Sequence, residues 1–119
     1  KDARGVFAEL LRERDLGKYK QISYLTIEPN FFRGNHYHKI THEAFILLEG
    51  ECEIITHEQR EDIDIRWHTK PEKAKLWKYD MFEVLPGQQH TLLSKTGAKL
   101  LVLSSKEFDP LNPDVYTYE

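Results

Sequence analysis

The chain is 119 residues long, 39% hydrophobic and 31% charged, with a net charge of −3, which fits one soluble globular domain spanning residues 1–119. No apolar run approaches the roughly 20 residues that a membrane span needs, and the mixed charge leaves no footprint for nucleic acid or a membrane surface. Cys52 is the only cysteine, which excludes an internal disulfide and fits a reducing, cytoplasmic setting.

In chain order, strands are predicted at Gly5–Leu11, Gln21–Glu28, His36–His38, Ala44–Leu48, Glu51–Thr56, Ile63–His68, Phe82–Leu85, Gln89–Ser94 and Lys99–Ser104. Many are rich in Ile, Val, Phe, Tyr and Thr, which suit a pleated, half-buried surface. Leu16–Lys20 reads as a helical turn or a loop, and Glu58–Asp64 as a charged, solvated hairpin tip. Turn signals fall at Pro29-Asn30, Gly50, Pro71, Pro86-Gly87 and Thr96-Gly97. Strands this short and numerous predict an all-β sandwich or closed barrel. Two runs, Ala44–Leu48 and Leu100–Leu103, are nearly continuous in apolar residues, as in strands covered on both faces. In so small a domain a second subunit could supply the outer cover, so a homodimer is expected.

His36 and His38 stand at i and i+2, so on a strand they share one face. Glu43 lies at an odd separation and needs a bend, for which Thr41-His42 is the place. Glu43, Phe45 and Leu47 then share a face, setting a carboxylate at the end of an apolar wall. His90 follows Pro86-Gly87 and opens a later strand. Three imidazoles and one carboxylate suit a divalent metal; zinc is taken first, with iron, manganese, nickel or copper compatible with the same ligand types. A single histidine on a strand is more often a hydrogen-bonded surface or core residue than a ligand. The ordered combination is what points to a site. His42, His57 and His68 lack that support and read as surface residues.

The pattern His36-x-His38-x4-Glu43-x6-Gly50 resembles the first motif of the cupin superfamily, with Asn30 where that motif usually begins on glycine. Gly87-x2-His90 and Asp80 resemble the second motif. There, Tyr79 stands in place of a common glycine, Leu85 in place of a common proline (Pro86 is one place late), and Ser94 in place of a frequent asparagine. This resemblance implies a jelly-roll β-barrel with a metal inside.

Three further segments narrow the chemistry. Asp2-x-Arg4-Gly5-x-Phe7-x-Glu9 resembles the N-terminal signature of nucleotide-linked 4-keto-sugar 3,5-epimerases, in which the Arg and Glu contact the nucleotide, often across a dimer interface. Arg33-Gly34-x-His36-Tyr37 resembles the segment carrying their basic histidine, and also the RGxHxH segment of sugar 3,4-ketoisomerases. Phe108-Asp109-Pro110-x-Asn112-Pro113-Asp114-x-Tyr116 resembles the tail of the cupin half of bifunctional capsular-polysaccharide enzymes, where a separate reductase domain completes the reaction. Together they imply an epimerase or isomerase of a nucleotide-activated 4-keto-hexose in cell-surface polysaccharide biosynthesis. In that frame Arg4 and Arg33 hold the pyrophosphate, Glu9 accepts from a base N–H, and Tyr24 is a candidate proton donor. Tyr37 alternates away from the histidines.

The metal-free relatives use the histidine at the His36 position as base, and one nitrogen cannot be both ligand and base. Glu43 and His90 favour the metal. The alternatives are a metal-free 3,4-ketoisomerase with His36 or His38 as base, an iron cupin oxygenase, and a non-catalytic sugar-binding module. No dinucleotide-type glycine loop is present, so a reduction step would need a separate reductase partner.

Overall fold

A computed structural model describes residues 2–57 and 71–116. These form one short helix, α1 (Glu13–Leu16), and eight strands: β1 (Gln21–Ile27), β2 (Phe31–His36), β3 (Glu43–Gly50), β4 (Cys52–Thr56), β5 (Glu72–Leu76), β6 (Met81–Val84), β7 (His90–Ser94) and β8 (Ala98–Ser104). Two four-stranded sheets run in the orders β1-β8-β3-β6 and β2-β7-β4-β5, with every ladder antiparallel. Each chain step except β4 to β5 crosses from one sheet to the other. That is the expected jelly roll. No helix among the described residues is long and apolar enough to cross a membrane.

Alternation along the strands decides which side chains fill the space between the sheets. Phe45 and Leu47 of β3, Ile54 of β4, Leu92 of β7 and Leu100 of β8 meet there in one buried cluster. Each such side chain contributes about 1.5–3 kcal/mol by leaving water. The other face of the first sheet is covered too. Ala44, Ile46 and Leu103 are buried there beneath Leu10, Leu11 and Tyr19 of the N-terminal segment. The two apolar runs are therefore doubly covered, but by the chain itself, and they give no argument for a second subunit.

The segment predicted as a strand over Gly5–Leu11 is not one. Asp2 and Gly5 bridge only to each other, and the following residues lay the consecutive Leu10 and Leu11 onto the outer sheet face instead of pairing at an edge. The helical turn falls earlier than Leu16–Lys20, ending at Leu16 with Gly17 as its cap. β2 runs from Phe31 to His36 instead of over His36–His38. β5 is unpredicted: its exposed Glu72, Lys73 and Lys75 mask the period that sends Ala74 and Leu76 to the core. The expected strand Ile63–His68, the tip Glu58–Asp64 and His68 itself lie outside the described residues.

Both places where glycine is usual in the resembled motifs turn out to need its backbone. Asn30 has φ 67 and Tyr79 has φ 71, left-handed values that asparagine tolerates and tyrosine adopts only under constraint. The Tyr79 N–H donates to the Leu47 carbonyl at 2.8 Å, which supplies that constraint. Gly50 is the less replaceable turn. Its φ is +88, and a Cβ there would fall 2.1 Å from the Gly97 carbonyl oxygen. Gly50→Ala is expected to destabilise the protein by at least about 2 kcal/mol, read as a lower urea midpoint with an unchanged slope.

Candidate active site and metal centre

Four side chains from separate elements meet at one end of the barrel. β2 approaches β7 closely because Gly34 (φ +103) has no side chain; a Cβ there would sit 2.8 Å from the His90 carbonyl oxygen. A register shift between Gly34 and His36, with Asn35 at φ 63, then sets His36 opposite His90. Their ring centroids are 4.6 Å apart. Tyr37 turns the other way, as alternation predicts, and stacks on Tyr116 with centroids 5.6 Å apart. His38 lies past the end of β2, in the segment that bends back to Glu43 at the start of β3.

Two of the imidazoles are fixed by what their ring nitrogens meet. His38 Nδ1 lies 2.5 Å from the Asp114 carbonyl oxygen, and its Nε2 lies 2.7 Å from Glu43 Oε1. His90 Nδ1 lies 3.1 Å from the Gln88 carbonyl oxygen. Carbonyl oxygens only accept, so both Nδ1 atoms carry the proton. His90 Nε2 is 3.2 Å from Glu43 Oε1, but off the hydrogen-bond direction, and it has no hydrogen-bond partner although His90 is only 1% exposed. One donor atom from each of His36, His38, Glu43 and His90 lies within 4.8 Å of all the others. That donor set, with an orphaned imidazole nitrogen inside it, fits a divalent cation.

Electrostatics separate Glu43, His38 and His36. Burial opposes the charge on Glu43, but His38, whose Nε2 donates to it, outweighs that and holds the carboxyl at about 2. Burial also opposes a charged His38, yet Glu43 and the Asp114 carbonyl outweigh it and raise its pKa above 6.5. His36 is lowered to about 4, first by burial and then by the two neighbouring imidazoles, so it is neutral at neutral pH.

Two cavities open onto this cluster and share His36 and Glu43. One, of about 510 Å³, runs past Leu25, Phe31, Phe32 and Arg33 and also reaches His90. The second, of about 290 Å³, is bounded by Gln21, Ser23, Asn112 and Asp114 and also reaches His38. Arg33 lines the larger cavity, with its Nε donating to the Thr26 carbonyl at 3.1 Å. The remaining expectations are not brought to the cluster. Tyr24 is 59% exposed and sits on the strand face opposite Leu25, yet it borders the second cavity together with His36, His38 and Glu43. Arg4 pairs with Asp2 at 2.9 Å with its side chain 91% exposed, and Glu9 faces Arg12 at 3.9 Å; neither lines either cavity. His42 and His57 are half-buried instead of on the surface. Sequence reasoning gave Asp114 no role of its own. The one local signal was an acidic residue after Pro113, which marks only a turn.

Glu43 stabilises the fold above its ordinary 4.5 and loses that contribution as the pH falls toward about 2. His38 stabilises it below 6.5 and loses that contribution as the pH rises through its raised value. In metal-free protein the pair is therefore worth most between these two ordinary values. Glu43→Gln should cost about 3 kcal/mol near a pH of about 5.5 and less at about pH 3 or 9, measured by urea unfolding in the presence of chelator.

Residues 1–116 match the profile of the polysaccharide biosynthesis C-terminal domain family. A UDP-2-acetamido-2,6-beta-L-arabino-hexul-4-ose reductase of Pseudomonas aeruginosa is 30% identical over 117 residues, 97% of this chain and 29% of that protein. This chain thus spans under a third of the length of that curated relative. Among solved structures, the capsular polysaccharide assembling protein CapF of Staphylococcus aureus superposes with a TM-score of 0.69 at 21% identity, over 86% of this chain and 27% of that one. A dTDP-4-dehydrorhamnose 3,5-epimerase of Sulfolobus tokodaii superposes with a TM-score of 0.74 at 20% identity, over 93% of this chain and 68% of that one. At such identities the two structures share the fold, and the profile match goes further: the chain belongs to the polysaccharide biosynthesis C-terminal domain family.

Proposed function

We propose that the chain is a metal-dependent epimerase or isomerase of a nucleotide-activated 4-keto-hexose, working in cell-surface polysaccharide biosynthesis. The metal part is carried by one observation: a buried His90 Nε2 without a hydrogen bond, held among the donor atoms of His36, His38 and Glu43. The substrate class is supported by the family and by the named chemistry of its relatives. The larger cavity also suits it, pairing Arg33 with exposed Phe31 and Phe32 and leading directly to His36.

A C–H beside a ketone is too weakly acidic to ionise unless the charge growing on the carbonyl oxygen is stabilised. A divalent cation held by His36, His38, Glu43 and His90, zinc in the first instance, supplies that stabilisation as a Lewis acid. The protein's own groups do the rest. The Gln88 and Asp114 carbonyls hold protons on Nδ1 of His90 and His38, so Nε2 of each ring faces the cluster. Arg33 keeps its terminal guanidinium nitrogens for a pyrophosphate. Leu25, Phe45 and Val102 wall the larger cavity with apolar surface beside His36 and limit water there. A second reading has a specific observation behind it. His36 is neutral and borders both cavities, as a metal-free general base would.

Arg4 and Glu9 line neither of the two cavities at the cluster, and Arg4 borders a separate one with Asp2 and Phe7; their nucleotide contact is therefore assigned to the cavity of a second copy. Light scattering of the purified protein should give a dimer; a monomer would remove both residues from the site.

Elemental analysis and solvent exchange test the chemistry. Proton NMR in D2O with a UDP- or dTDP-4-keto-hexose should show deuterium entering beside the ketone. Exchange should stop with chelator, return with Zn(II), and fall by at least about 100-fold in His90→Ala. No exchange with either nucleotide series sinks the proposal. Exchange untouched by chelator in metal-free protein moves it to His36 as base.

A further inference from the structure

We propose that Asp114 is a positioning residue of the cluster: its carboxylate fastens the loop that carries His38, and its main-chain carbonyl selects which His38 nitrogen faces Glu43. The carboxylate accepts four hydrogen bonds from one short segment. Oδ1 takes the Lys39 N–H, and Oδ2 takes the Ile40 N–H, the Thr41 N–H and the Thr41 hydroxyl, each at 2.9 Å. These residues lie between β2 and β3, where no ladder uses their N–H groups. The segment is also the bend that returns Glu43, at its odd spacing, to the histidines. Without an acceptor there, three backbone donors would have to find water while His38 stays buried against Glu43.

The same residue acts again through its backbone. The Asp114 carbonyl accepts from His38 Nδ1 at 2.5 Å, so the proton stays on Nδ1 and Nε2 is left for Glu43 or a cation. His90 gets the equivalent support from Gln88, two residues away in its own segment. His38 gets it from a tail 76 residues further along the chain. Tyr116, two residues on, holds the tail against both neighbours of His38. Tyr37 and Tyr116 exchange backbone hydrogen bonds at 2.9 and 3.0 Å, and Lys39 Nζ sits 4.3 Å from the Tyr116 ring centroid. Docking of the tail and orientation of His38 are thus one event.

The proposal rests on the metal reading only where zinc affinity is concerned, and a ring-proton signal separates the two. In 15N-labelled protein with chelator present, the His38 Nδ1–H should be visible and protected from exchange with water. Asp114→Ala should lose that signal and keep the corresponding His90 signal, and should bind Zn(II) about 10- to 100-fold more weakly. Asp114→Asn, which keeps one carboxamide oxygen, should fall between. Thr41→Val removes a single hydroxyl donor, leaves the carboxylate in place, and should keep the His38 signal. An Asp114→Ala protein that unfolds cooperatively and retains both the His38 Nδ1–H and wild-type zinc affinity overturns the proposal. If Asp114→Ala does not fold, Asp114→Asn decides, and an unaltered His38 signal there overturns it equally. If the wild type binds no zinc, the metal reading falls and the ring-proton comparison still decides the role of Asp114.

Discussion

One carboxylate, its side chain 13% exposed, lies among three imidazoles at the end of an apolar barrel, and most of the local architecture answers to that arrangement. A buried charge is costly unless it is paired and hydrogen-bonded. Glu43 is therefore tolerable only while His38 donates to it, and His38 can donate in both directions only while a carbonyl waits at Nδ1. His36, which has no such carboxylate contact, meets the same constraint by staying neutral. The bulge after Gly34, the Pro-Gly turn before His90 and the docked tail all serve to put these partners in reach.

The four groups are not held with equal rigidity. His36 and His90 face each other across a ladder, so the β2–β7 hydrogen bonds set their separation. Glu43 opens β3, flanked by Val84 on one side and Ser104 on the other. His38 alone lies outside a strand, and its place is set from the far end of the sequence. A site built on strand ends is more precise than one built on a loop, and here the single loop member is the one tied down by side-chain hydrogen bonds.

The outer face of the first sheet shows the same economy of parts. Covering Ala44, Ile46 and Leu103 with Leu10, Leu11 and Tyr19 turns the N-terminal segment into a second layer. Lys18 and Glu83 fasten that layer to β6 through a 2.5 Å ion pair. The arrangement buries the back of β3, the strand whose first residue is Glu43. Packing on both faces of β3 therefore supports the carboxylate from behind as well as from within.

Much of this was legible in the chain itself. Alternation in β1, β4 and β7 follows from residue type, because side chains on a strand point to opposite faces whatever the surroundings, and it placed those strands within a residue or so. HxH, the following glutamate and the later PG-x-x-H named the cluster, since spacing on adjoining segments limits which side chains can converge. Other features were legible only in space. β5 carries charges that hide its period, and Leu10 and Leu11 gain their role from a sheet face made by distant strands. Tyr24 is a candidate from its place on a neighbouring strand and Arg4 from a resemblance; in space Tyr24 lies on the outward face of β1 at the rim of the second cavity, and Arg4 turns back onto Asp2. Asp114 is the clearest case. Its meaning lies in unpaired N–H groups of residues 39–41, and no local pattern records which distant carboxylate will satisfy them, because that match exists only once the barrel has closed.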